Sequence, residues 1–292
     1  LMVKSKFFNS KILLFGEYTV TLGSDALAVP FDHFKGNWNF SANATESNAN
    51  LQQLYNYLQK ESKLSCLFDM KNLANDIEDG LFFESSIPTG YGLGSSGALV
   101  AALYDKYATD KILDSNSLKS IFAQIENCFH GSSSGIDPLV SYLNEPILIR
   151  NKTEINSVQC DVKKNGFFMI DSGISRKTAP FVHIFNNKMN ENAEFRTNVE
   201  VLKSVNRQII SNLINKENIK TEFEIISKIQ STHFGEMIPE KLKPIWQNGL
   251  ESRQYFLKLC GAGGGGVFLG WSEDSDFLSQ SLADTSLTVF HL

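Results

Sequence analysis

Between Pro88 and Ala98 the chain reads Pro-Thr-Gly-Tyr-Gly-Leu-Gly-Ser-Ser-Gly-Ala, and this stretch restricts the fold more than any other. A short apolar run (Leu81, Phe82, Phe83) precedes it. An apolar periodic segment (Leu99, Val100, Leu103, Tyr104) follows. That order predicts strand, loop, helix. Glycine permits φ > 0 and lets a ligand come close to the main chain. A loop of this kind leads into a helix N-terminus, where unpaired N–H groups and the positive dipole end favour a phosphate. A tight turn capped by Ser95 or Ser96 is the plainer reading. Three glycines at alternate positions followed by two serines weigh against it.

The chain of 292 residues has room for one large domain or two medium ones. A net charge of −5 provides no basic surface, so neither nucleic acid nor an anionic membrane is an expected partner. No apolar run approaches the 18 residues or so that span a bilayer, and the start, Leu1 to Lys6, is too short and broken for a signal peptide. Cys66, Cys128, Cys160 and Cys260 lack zinc or redox spacing. The expectation is reduced, mostly buried thiols in a cytoplasmic protein.

Along the chain, Lys11–Phe15 and Leu81–Ser85 predict strands, Val20–Phe31 a hairpin-like return, and Trp38 with Phe40 another strand. Residues 41–50 read as a surface loop and Leu51–Leu67 as a helix. Ser117 caps a helix whose stripe is Leu118, Ile121, Phe122, Ile125 and Phe129. Glu126 lies about 40° from Phe122 on that helix and so borders the apolar face. Either a surface glutamate or a half-buried carboxylate fits there. After His130-Gly131, the loop Ser132–Pro138 delivers Asp137. Phe167–Ile170 is a strand, and Ser175–Thr178 a polar loop into a helix. Residues 190–214, 221–238 and 242–256 predict three helices. Gly263 to Gly266 then lead to strands at Val267–Trp271 and Leu287–Leu292. Strands and helices mix without regular βαβ alternation, which predicts an α+β fold. The expected domains are 1–163 and 164–292, joined near Asp161–Asn165.

Two motif matches fail on context. Gly92, Gly94 and Gly97 fit the dinucleotide fingerprint, but the helix after them leads to another helix and not to a strand. Gly131, Ser133 and Gly135 fit the nucleophile elbow, but a helix precedes them where a strand is needed. No Walker-type Gly-Lys-Ser/Thr is present. A triphosphate on the Pro88–Ala98 loop would need a divalent cation, and Ser95, Ser96 and Glu126 are of the right types to bind one. Asp137 could orient or deprotonate a hydroxyl, and Lys11 could stabilise a transferring phosphoryl group.

Three segments in order, Lys11–Glu17, Pro88–Ser96 and Lys258–Gly266, together resemble the three motifs of the GHMP kinases, the family of galactokinase, homoserine, mevalonate and phosphomevalonate kinases. Within it, Glu126-x-x-x-His130-Gly131-x-x-Ser134-Gly135-x-Asp137 is most similar to the mevalonate kinase segment. The resemblance implies a ribosomal S5 domain 2-like N-terminal half and a ferredoxin-like C-terminal half, with ATP and Mg2+ as cofactors. It further implies phosphorylation of a small-molecule alcohol, mevalonate first, with phosphomevalonate, a sugar or an amino alcohol as alternatives. By resemblance, Asp137 and Lys11 are catalytic. Gly90, Gly92, Leu93, Gly94, Ser95, Ser96 and Gly97 bind nucleotide, and Ser95, Ser96 and Glu126 hold the metal. Glu17, Tyr18, Thr178 and Gly263 face the acceptor. A homodimer is left open, as is a non-catalytic ATP binder, although Lys11, Glu126 and Asp137 together argue for catalysis. The sequence departs from the family where Tyr18 replaces a histidine, where Ser132-Ser133 replaces Asn-Pro, and where Gly97 replaces an alanine.

Overall fold

The computed structural model describes residues 6–41, 48–162, 166–283, 285 and 287–292. In chain order the elements are β1 (Phe8–Phe15), β2 (Ala26–Phe40), α1 (Ala49–Lys60), α2 (Ser62–Ser65), α3 (Met70–Glu78), β3 (Leu81–Ser85), α4 (Ser95–Tyr107), α5 (Ser115–His130), α6 (Ile136–Leu143), β4 (Ile147–Arg150) and β5 (Glu154–Ser157). There follow β6 (Phe167–Asp171), α7 (Ala179–Glu191), α8 (Ala193–Ile214), α9 (Lys220–His233), α10 (Lys243–Ser252), β7 (Tyr255–Leu259), β8 (Val267–Ser272), α11 (Ser275–Leu282) and β9 (Thr288–His291). The fold is α+β. No helix among the described residues is long and apolar enough to cross a membrane.

The chain forms two compact units that interleave along the sequence. The first takes the chain up to Ile12, then Val29–Pro88 and Leu93–Glu145. The second takes Leu13–Ala28, Thr89–Gly92 and Pro146–Leu292. The division therefore falls inside β1 and inside β2. The junction expected near 161–165 lies partly outside the described residues.

In the first unit β2 pairs antiparallel with β3, with Trp38 opposite Phe83. Helix α4 is buried from Gly97 to Tyr104 without interruption. Its alanines, leucines and valine leave no polar face, as a helix surrounded by protein requires. Tyr104 meets Phe122 of α5 edge-on at 5.2 Å and Tyr142 of α6 at 5.3 Å. In the second unit an antiparallel sheet runs β7-β8-β6-β9, and every residue of β7 and β8 is buried. Trp246 of α10 packs beside it at Phe268 and donates its indole N–H to the Ser227 hydroxyl at 2.8 Å.

The structure corrects several local expectations. The cap of α5 is Asp114, whose carboxylate accepts from the Ser117 N–H at 2.8 Å, so the helix starts two residues before Ser117. The single helix expected over 51–67 is α1 followed by the short α2, and 42–47 of the expected surface loop lie outside the described residues. The helix expected over 242–256 ends at Ser252. Arg253 turns left-handed at φ 57°, and strand β7 begins at Tyr255. Asp137 sits in the first turn of α6 and not in a loop. Of the four cysteines Cys260 is buried, Cys128 and Cys160 are partly exposed, and Cys66 is exposed.

Candidate active site

In the first unit the glycine-rich stretch ends at Gly94, the residue before α4, with φ 77°. A left-handed backbone is cheap there only for glycine. The Lys11 N–H donates to the Leu93 carbonyl at 3.0 Å, which lays β1 alongside this corner. The Lys11 ammonium then pairs with Asp137 at 2.9 Å. A Cβ on Gly94 would stand 3.1 Å from Lys11 Cγ and 3.5 Å from Asp137 Oδ2. A Cβ on Gly97 would meet the Pro138 nitrogen at 2.7 Å, so this glycine lets α4 and α6 approach. The N-terminus of α4 is thus flanked by one ammonium and one carboxylate.

Glu126 is buried, well beyond bordering an apolar face. The Ser96 hydroxyl donates to its Oε1 at 2.9 Å, and the Ser133 hydroxyl donates to Oε2. Ser96 Oγ also lies 3.0 Å from His130 Nε2. Burial pushes the Glu126 carboxyl up to about 7, and the Asp137 carboxylate adds to the rise; the hydrogen bonds from Ser133 and Ser96 and the charge of Lys11 oppose it. A carboxyl raised in the folded state stabilises the fold while it stays protonated. That contribution is complete below about 4.5 and is lost as pH climbs to about 7. In metal-free protein, Glu126→Gln should flatten this window by up to about 3 kcal/mol, measured by denaturant unfolding between pH 4.5 and 8. A parallel decline in both proteins would contradict it.

Among the described residues no group of three or more His, Cys, Asp or Glu side chains could hold a metal ion. Magnesium suits such a site, because it takes one or two protein oxygens and completes its shell with phosphate oxygens and water. A buried carboxylate held by hydroxyls and raised by a neighbouring carboxylate gains from a divalent charge. Ser96 is bonded to Glu126, whereas Ser95 is the first residue of α4.

In the second unit Glu17 and Lys258 form a buried ion pair at 2.5 Å, with side chains 2% and 0% exposed. Lys258 also donates to the Leu259 carbonyl at 2.7 Å. Burial nevertheless raises the Glu17 carboxyl, against the pull of Lys258 and of the Gly261 main chain. Tyr18 has φ 60° and ψ −46°, and the Thr19 N–H donates to the Glu17 carbonyl at 2.6 Å. This is a γ-turn of the strained kind. The Tyr18 ring stacks on Phe185 at 4.5 Å, and its hydroxyl donates to the Ala262 carbonyl at 2.7 Å.

Arg176 gave no signal in sequence beyond a polar loop. Its Nη2 lies 3.1 Å from where a Cβ on Gly92 would stand and 2.9 Å from that of Gly261. Nη1 donates to the Thr178 hydroxyl at 2.5 Å, while Nε is buried and has no hydrogen-bond partner among the described residues. Burial works against its charge, and the groups that favour that charge, Cys260 and Tyr18, include no carboxylate.

Lys11, Leu93, Gly94, Ser95, Ser96, Gly97, Glu126 and Asp137 therefore belong to the first unit, and Glu17, Tyr18, Gly90, Gly92, Thr178 and Gly263 to the second. Gly90 lies against Ser175, and a Cβ on Gly263 would meet the Met237 carbonyl at 2.7 Å.

Residues 50–145 match the family model described as the GHMP kinases N terminal domain. A mevalonate kinase of Archaeoglobus fulgidus is 29% identical over 184 residues, which is 59% of this chain and only 59% of that relative. The crystal structure of L. major mevalonate kinase in complex with R-mevalonate has a TM-score of 0.69 at 16% identity, covering 97% of this chain and 92% of that one. Streptococcus pneumoniae phosphomevalonate kinase gives 0.68 at 16% identity, covering 99% and 98%. At these identities the structural likeness establishes the fold.

Proposed function

On the premise that this chain carries a GHMP kinase N-terminal domain and has the GHMP kinase fold, we propose that it transfers the γ-phosphoryl group of ATP to a small acidic alcohol, mevalonate first. The observation that carries this reading is the Lys11–Asp137 pair beside the Gly94 corner. Main-chain N–H groups from Gly94 into α4 cradle phosphate oxygens. Asp137 orients the acceptor hydroxyl and accepts its proton. Lys11 pairs with Asp137 and stabilises the charge that develops on the transferring group. Ser96 and Glu126 would hold a divalent cation, which would supply neutralisation at the phosphates.

Arg176 supports an anionic acceptor, because a half-buried guanidinium that has, among the described residues, an idle Nε and no carboxylate partner is suited to a ligand's carboxylate or phosphate. The test is ADP release from Mg-ATP against mevalonate, phosphomevalonate, galactose and an amino alcohol. Acidic alcohols should be the acceptors, and Arg176→Met should raise their KM about tenfold, the lower end for a charged hydrogen bond. Turnover of galactose alone would refute the acidic acceptor, and tight ATP binding without any turnover would refute the kinase.

A further inference from the structure

Ser133 lies in a run of three serines whose nucleophile-elbow match fails on context, and its hydroxyl makes two bonds at once. The O–H donates to Glu126 Oε2, and the oxygen accepts the Gly135 N–H at 3.0 Å. Gly135 is the residue before α6, and a Cβ there would lie 2.1 Å from the Lys119 carbonyl of α5. The start of α6 is thus seated on the α5 backbone, and Asp137 follows two residues later. Glu126 receives one hydroxyl on each carboxylate oxygen, Ser96 from α4 and Ser133 from the loop ahead of α6. A carboxylate bonded at both oxygens has its rotation fixed, and a chain of N–H to O–H to carboxylate strengthens each member.

We propose that Ser133 is a positioning residue that fixes the orientation of the Glu126 carboxylate and ties it to the helix start carrying Asp137. The inference rests on the reading that Glu126 holds the divalent cation. Loss of an outer hydrogen bond to a metal ligand commonly costs 10-fold or more in affinity.

The test is titration calorimetry of Mn2+·ADP and of metal-free ADP on the whole protein, with the melting temperature measured alongside. Ser133→Ala should weaken Mn2+·ADP binding about tenfold and leave metal-free ADP binding unchanged, and Ser133→Thr, which keeps the hydroxyl, should restore most of it. A lower melting temperature with unchanged Mn2+·ADP affinity would mean that Ser133 only caps α6, and would overturn the proposal. Glu126→Gln separates the two levels. If it weakens Mn2+·ADP binding and Ser133→Ala does not, the positioning role fails alone. If Glu126→Gln has no effect, the metal reading beneath it fails as well.

Discussion

Replacing Asp137 by asparagine should lower turnover about a hundredfold or more while ATP affinity stays within about threefold, because a positioned acid–base group contributes about 10²–10⁴ in rate. The amide keeps the shape of the side chain but cannot take a proton. A second effect has to be separated from this one. Lys11 is only 9% exposed and loses the carboxylate charge of Asp137 in the variant. Stranding a buried charge costs about 3–5 kcal/mol, but the Asp137 side chain is 31% exposed, so water reaches the pair and a stability loss nearer 1–2 kcal/mol is expected. Melting curves measure that loss directly. Lys11→Met and the double variant complete a cycle. If the two groups work as a unit, the double variant should be little worse than the more damaging single one. Independent, additive losses would separate their roles.

The largest stability effect is expected in the second unit. Lys258→Met leaves the Glu17 carboxylate buried without its ammonium, and should cost about 3–5 kcal/mol. At about 2–4 °C per kcal/mol for a chain of this size, the melting temperature should fall by roughly 6–20 °C. Glu17→Leu together with Lys258→Met removes both charges and should recover most of the loss, because the pair stands among apolar groups such as Phe15, whose ring lies 5.4 Å from the Lys258 ammonium. Urea unfolding of the single and double variants decides the matter. A double variant as unstable as Lys258→Met would show that what matters is the specific bonds to the Leu259 carbonyl and the Gly261 main chain, and not charge compensation.

Much of the first unit's site could be read from local sequence. The glycine corner, the apolar helix after it and the position of Glu126 beside an apolar stripe all follow from spacing, because helix period and glycine freedom are local properties. Asp137 was visible, but its setting was not. Pro138 reads as a loop residue, yet proline is tolerated in a helix's first turn, where its missing N–H has no partner to lose. The end of α10 was hidden for a similar reason. Neither Gly nor Pro marks it, and the turn is made by Arg253 at positive φ, whose guanidinium reaches Glu224 at 3.0 Å.

Other tertiary pairings escaped, although the family resemblance groups Lys11 with Asp137 and Ser96 with Glu126. Lys258 and Glu17 are 241 positions apart, and nothing in either neighbourhood signals the other. Ser133 matters through a partner on another helix. Arg176 matters because glycines at 92 and 261 leave room for its guanidinium. Side-chain identity alone carries none of these relations.

The measurement that bears most directly on the account is phosphorus NMR of the protein turning over Mg-ATP with mevalonate. A phosphomonoester resonance should grow in step with ADP, and on the same timescale Asp137→Asn should produce next to none. Inorganic phosphate in place of the ester, or an ester formed at the wild-type rate by Asp137→Asn, would contradict it.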